Sequence, residues 1–266
     1  MPHQRIRIRP VQTPITVYEQ PLGERLRFFL RLECLFSQTR HCLRSESEQD
    51  SHTCLGNLLE ILHVIGRVDI KTEVLKELER IIATLEPLAQ TPGVNHDTLD
   101  SLLVTLGGFK SHLYNLDGPI AQELRDNEFF KLLLQRSGIP GGLCDFDLPP
   151  YRHWLQRDAD TRIADLRHWY GSLDTLRLSV DLILKLIRES ATPVDRTAEG
   201  GLYQQGLDSA TPFQLIRVSL PGDSPYFVEI SGGRHRFTVR LLQASTGERA
   251  QQATADIPFQ LSCCAL

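Results

Sequence analysis

Positive charge is what this 266-residue chain does not have in excess: 29 Lys and Arg face 33 Asp and Glu, for a formal net charge of −4 and a pI near 6.1. Broad, sequence-independent nucleic-acid binding needs a basic domain, so that class is set aside and any cationic function must be local. No uninterrupted apolar run approaches the roughly 18 residues of a membrane span, so no membrane insertion is expected. The start, Met1 to Pro10, carries Arg5, Arg7 and Arg9 with no apolar stretch behind them; it reads as a flexible basic arm over residues 1–14, not as a secretory signal.

The six cysteines (Cys34, Cys42, Cys54, Cys144, Cys263, Cys264) include no CxxC pair and no regular framework. Without an export signal they read as reduced thiols of a cytoplasmic protein. Of Cys263-Cys264, strand alternation sends one thiol inward and leaves the other near the surface, and no metal is expected there. Catalytic signatures are missing too: no GxxxxGK[ST] phosphate loop, no HExxH and no GxSxG elbow. Asp145 and Asp147 sit beside Pro149-Pro150, where an Asx turn or a helix cap is the commoner role. His153-Trp154 and His168-Trp169 suit packed helix faces better than a catalytic dyad. No enzyme activity, catalytic residue, metal or cofactor is expected.

What the chain does contain divides at Thr192-Pro193. Before it, apolar residues follow a helical period. Ile70, Val74, Leu75, Leu78, Ile81, Ile82 and Leu85 mark one face of a helix that Asp69 can cap and Pro87 ends. Leu173, Leu176, Val180, Ile183, Leu184 and Ile187 mark another, with Ser172 as its N-cap. Further helices are predicted over Leu22–Leu43, Asn57–Arg67, Asp97–Leu116 and Asp126–Ser137. The Gly- and Pro-rich segment Ser137–Pro150 reads as an ordered loop that leads into Tyr151–Gln156. After Pro193, Phe213–Leu220, Tyr226–Ile230, Arg234–Gln243 and Ile257–Cys263 read as strands separated by turn residues. The run Ile15–Glu19 is a candidate extra strand. The expected fold class is therefore α+β: an α-helical bundle domain over residues 15–192, then an antiparallel β domain over 193–266.

The most pointed feature lies in the third of those strands. Alternation puts Arg234, Arg236, Thr238 and Arg240 on one face and His235, Phe237, Val239 and Leu241 on the other. Arginines recurring about every 7 Å on a protein of negative net charge point to an anionic partner. Arg27 and Arg31, four apart on one helix, share a face; Arg125 and Arg152 flank the Gly/Pro loop. Each alone is an ordinary solubilising group, and together they form a set if the fold unites them. A nucleic-acid module using the same arginines is the alternative, although stacking would want aromatics on the cationic face and alternation turns Phe237 away.

Several strings taken together resemble the ZapD family of bacterial division proteins. They are Ile139-Pro-Gly-Gly-Leu-Cys-Asp-Phe-Asp-Leu-Pro149 with Trp154 following, Tyr203-Gln204, Ile230-Ser-Gly with Arg236-Phe and Arg240, Phe259-Gln-Leu-Ser-Cys-Cys264, and the opening Tyr18-Glu-Gln-Pro-Leu22. The resemblance covers roughly residues 15–264. It implies an α-helical and a β domain, a homodimer, and a cytoplasmic protein recruited to mid-cell. It further implies binding of the acidic C-terminal tail of FtsZ and bundling of FtsZ filaments, with no nucleic acid or membrane involved. The positions matching basic residues of the family's binding surface are Arg27, Arg31, Arg125, Arg236 and Arg240; Arg234 falls where another basic residue is expected, and Arg152 where the family carries a histidine. Residues 1–14, the stretch between His41 and Cys54, and Ala265-Leu266 depart from the family pattern.

Overall fold

A computed structural model describes residues 14–144, 146–233, 235–244 and 249–266. The chain forms two compact units: residues up to Leu26 together with Ile187–Leu266, and Arg27–Leu186. One N-terminal strand apart, helices precede antiparallel strands, so the fold is α+β as expected.

The helical unit draws on α1 (Glu24–Cys42), α2 (Glu48–Arg67), α3 (Ile70–Leu85), α4 (His96–Asn115), α5 (Gln122–Asp126), α6 (Glu128–Ser137), α7 (Pro149–Leu155), α8 (Ala159–Gly171) and α9 (Asp174–Glu189). The start of α3 is set chemically: Asp69 accepts from the backbone N–H of Thr72 at 3.2 Å, and the Thr72 hydroxyl donates to the same carboxylate at 2.6 Å. Those bonds hold the Asp69 carboxyl below its usual range. A 3-10 turn, Glu86–Gln90, follows where Pro87 ends the helix. Four boundaries differ from the periodicity. The second helix begins nine residues earlier than Asn57, because Ser47 caps it by accepting from Asp50 N–H at 2.9 Å. The helix expected from Asp126 begins at Glu128, because the Asn127 side chain caps it by accepting from Phe129 and Phe130 N–H, while Asp126 is the last residue of the short α5. Helix α8 went unread in a stretch with mixed polarity. Ser172 closes that helix, donating its hydroxyl to Trp169 O at 2.7 Å, instead of opening α9.

Tryptophan packing holds the middle of this unit. Phe129 stacks on Trp169 with centroids 5.7 Å apart, Phe130 meets the same indole edge-on at 4.9 Å, and Trp154 lies 5.7 Å away. Such contacts add about 0.5–1.5 kcal/mol each beyond area burial. The buried Arg162 ties the surrounding ends together. Its guanidinium donates to Ser51 Oγ, to the carbonyls of Leu155 and Arg157, and to Glu46 O. Carbonyls left over at helix ends and in the α1–α2 connection thereby find a donor.

The β unit holds β1 (Ile15–Pro21), β2 (Val194–Ala198), β3 (Leu202–Gly206), β4 (Phe213–Pro221), β5 (Tyr226–Gly232), β6 (Arg236–Gln243), the two-residue β7 (Gln251–Gln252) and β8 (Ile257–Ala265). One sheet runs β1-β4-β8-β2 and the other β3-β6-β5, with β7 on β6; all pairings are antiparallel. The candidate strand at Ile15 is real and pairs with β4, so this unit is discontinuous in sequence and does not begin at residue 193. Strands β2 and β3 were not foreseen. Between them Gly200 and Gly201 both have positive φ, 53° and 74°, a conformation glycine adopts without strain. A Cβ on Gly201 would also fall 2.6 Å from Ala253 O.

Inward rows of both sheets meet in one core: Ile216, Val218 and Leu220 of β4, Phe237, Val239 and Leu241 of β6, and Ile257, Phe259 and Leu261 of β8. On the opposite face of the first sheet Glu19 joins two arginines. Arg188 grips it with both Nε and Nη2, at 2.8 and 2.7 Å, and Arg217 Nε adds a bond at 2.9 Å. Burial would raise the Glu19 carboxyl; hydrogen bonds and charge from Arg188 and Arg217 outweigh it and hold the group low. Cys264 is fully buried beside this cluster, its thiol pushed up to about 11 chiefly by burial; Cys263, on the other face of β8, is half-buried against the core between the sheets, so neither thiol sits at the open surface.

Candidate partner-binding surface

Strand β6 turns its residues as alternation requires. Phe237 is 1% exposed and Val239 and Leu241 are fully buried, whereas Arg236 and Arg240 face solvent with Thr238 partly exposed between them. The register on both flanks defines what surrounds each arginine. Arg236 pairs with Gly206 of β3, and on the other side its carbonyl accepts from Gly233 N–H at 3.0 Å. Thr238 lies between Gln204 and Ser231. Arg240 lies between Leu202 and Glu229. The floor beneath the Arg236 end is therefore bare backbone, and the polar residues Gln204 and Ser231 follow it. At the far end Glu229 Oε2 stands 3.7 Å from Arg240 Nη1, both groups about half exposed.

A face of this kind can hold carboxylates. Guanidinium forks donate to them bidentately, and glycines on either side remove the side chains that would block an approaching backbone. Phe237, beneath the strand in the core, is not available for stacking. Arg234 and His235 were read as part of the strand; Arg234 lies outside the described residues, and His235 precedes the first residue of β6, Arg236. Arg5, Arg7 and Arg9 also lie outside them.

The arginines of the helical unit have other surroundings. Arg27 is half-buried on α1, and Arg31 is exposed with its guanidinium 5.9 Å from the Phe28 ring centroid. Arg125 is half-buried at the end of α5. Its Nη2 donates to Leu62 O at 2.9 Å, and a Cβ on Gly66 would sit 3.1 Å from that nitrogen. It thus packs against α2 over a glycine that leaves room for it. Arg152 is exposed on α7. Within the helical unit these four stand on three helices, α1, α5 and α7, and Arg125 is bound inward.

Among the described residues no group of three or more His, Cys, Asp or Glu side chains could hold a metal ion. Asp147 accepts from the Cys144 thiol at 3.7 Å, and Asp145 lies outside the described residues. His153 is exposed, and His168 pairs with Glu123 at 3.2 Å, while Trp154 and Trp169 pack inward as expected of paired helix faces. No helix of the described residues is long and apolar enough to cross a membrane. Sequence reasoning missed Glu229 and the flanking glycines. Their signal was the Gly232-Gly233 turn, which folds β5 back on β6 and sets Glu229 against Arg240.

A helical unit joined to a two-sheet unit that presents an arginine-bearing strand defines the class: a two-part α+β protein with a local cationic sheet face. The family model described as "ZapD: Cell division protein" matches residues 30–240. The chain is 42% identical to cell division protein ZapD of Methylococcus capsulatus over 250 residues, which is 94% of this chain and 98% of that one. It is 36% identical to the protein of the same name from Aromatoleum aromaticum (95% and 98%) and 38% identical to that from Coxiella burnetii (96% and 99%). The chain belongs to the ZapD family of cell division proteins.

Proposed function

We propose that the protein is a non-enzymatic division factor that binds the acidic C-terminal tail of FtsZ through the arginine face of β6 and, as a homodimer, cross-links FtsZ filaments at mid-cell. The observation that carries this reading is the outward pair Arg236 and Arg240 on β6, the first flanked by glycines, in a chain of net charge −4 whose family acts in cell division. Arg27, Arg31 and Arg152 of the helical unit, and Arg234, are proposed as further basic contacts for the tail. Arg125, tied to Leu62 O, contributes by holding α5 against α2.

A single exposed ion pair contributes about 0.2–1 kcal/mol, so several arginines together are needed. A dimer carries two such surfaces, and a filament displays many tails at high effective concentration, so modest monovalent binding becomes strong bundling. Both steps weaken with salt, since the Debye length is already about 10 Å at 0.1 M.

Co-sedimentation with polymerised FtsZ tests the reading. The protein should pellet with intact filaments, fail to pellet with filaments lacking the C-terminal tail, and lose bundling as an Arg236→Glu/Arg240→Glu variant. Unchanged bundling by that variant overturns the assignment of β6, and a single-chain mass in sedimentation equilibrium overturns cross-linking by a dimer.

A further inference from the structure

The two arginines of β6 are not equivalent. Arg240 has a carboxylate directly across the sheet: Glu229 is its register partner on β5, on the same outer face, with Oε2 3.7 Å from Nη1. Opposed charges at directly paired positions attract, and both side chains remain half exposed, so the pair can open at little cost. Arg236 has glycine on both flanks, and among the described residues its side chain has no acidic partner. Four residues along an extended strand separate the two, about 13 Å.

We infer that Glu229 is an internal competitor for the partner's carboxylates: it occupies Arg240 in the unbound protein, leaving Arg236 as the first anchor. This rests on the proposed tail-binding role of β6. A ligand with one carboxylate reaches Arg236 and stops there. A ligand with a second carboxylate about 13 Å further along must displace Glu229 to reach Arg240, and the released glutamate then repels any surplus negative charge at that end. The second contact at Arg240 favours acidic segments with two separated carboxylates, and Glu229 takes back part of that gain: it lowers the affinity of such segments while leaving isolated acids, which use Arg236 alone, unaffected.

The test uses the full chain and a fluorescently labelled FtsZ C-terminal tail peptide, with anisotropy read at low and high salt. The variants are Glu229→Gln, Arg240→Gln, Arg236→Gln and the double variant Glu229→Gln/Arg240→Gln; all three positions are exposed, and far-UV circular dichroism verifies each fold. Releasing an exposed pair is worth about two- to fivefold in affinity, so Glu229→Gln should bind the peptide tighter by that factor at low salt. The gain should shrink in 0.5 M salt and vanish in the Arg240→Gln background. Arg236→Gln should weaken binding whether or not Glu229 is present. Equal or weaker binding by Glu229→Gln, with Arg236→Gln still impaired, overturns the competitor while leaving the tail-binding surface standing. A gain that persists without Arg240 also overturns it, because the effect is then one of general charge. If neither Arg236→Gln nor Arg240→Gln alters binding, the tail-binding surface itself is wrong.

Discussion

The same residue type serves opposite ends in the two units. In the helical unit Arg162 and Arg125 turn inward and donate to backbone carbonyls, Arg162 to three of them and to Ser51, and Arg125 to Leu62. In the β unit Arg236 and Arg240 stand out from the sheet, one over glycines and the other facing an exposed glutamate. Arg188 and Arg217 show that the β unit also uses arginine structurally, but there the acceptor is a half-buried carboxylate, Glu19. An inward guanidinium is part of the architecture; an outward one is available to a partner. Charge count alone does not separate them.

The largest effect that would break this contrast is expected at Arg162. Its truncation to alanine leaves three carbonyls and a serine hydroxyl without their donor, and should cost the helical unit about 3 kcal/mol or more. Both tryptophans of the chain, Trp154 and Trp169, lie in that unit, so urea unfolding followed by indole fluorescence reads it directly. An unchanged midpoint would mean that the inward arginines are not structural.

A sharper comparison pairs Arg125→Ala with Arg236→Ala. The first loses a half-buried hydrogen bond and should destabilise by about 1–3 kcal/mol. The second removes an exposed side chain, should stay within about 0.5 kcal/mol of the parent, and should weaken only partner binding. If Arg125→Ala impairs bundling with no loss of stability, its role is contact rather than support.

The smallest effect concerns acid. Glu19 is held below its ordinary value of 4.5, so it binds protons less readily folded than unfolded. The stability it contributes is present above that value and is lost as pH falls through the lower folded value. Stability of the β unit should therefore decline below pH about 4.5, and Glu19→Gln should flatten that decline in denaturation curves read by far-UV circular dichroism. An identical acid profile in the variant would show that the Arg188–Glu19–Arg217 cluster contributes nothing to folding.

Much of the fold could be read from the chain where the pattern is local. The helix Ile70–Leu85 has seven apolar positions in phase, an aspartate to start it and a proline to stop it, and it forms over those bounds. The outer and inner faces of β6 follow from a period of two that admits no ambiguity once the strand exists. Ser172 misled because a serine between two helices satisfies either neighbour, and here its hydroxyl turns back to Trp169 O. Helix α8 was hidden because its inward face includes Arg162 and Tyr170, one of which reads as surface in any hydropathy pattern. Strands β2 and β3 are short and polar, and only a sheet to join makes them strands.

By itself the sequence determined that a run of helices is followed by a run of strands on either side of Thr192-Pro193, that the charge of any cationic site is local, and that Arg236 and Arg240 share a face. These follow from covalent periodicity and composition, which act over a few residues. Tertiary structure alone decided that Ile15–Pro21 pairs with β4 some two hundred residues away, that Arg125 turns to Leu62, and that Glu229 stands against Arg240 while glycines flank Arg236. Those outcomes depend on strand register and on which unpaired carbonyls need a donor, and both arise only when distant segments meet.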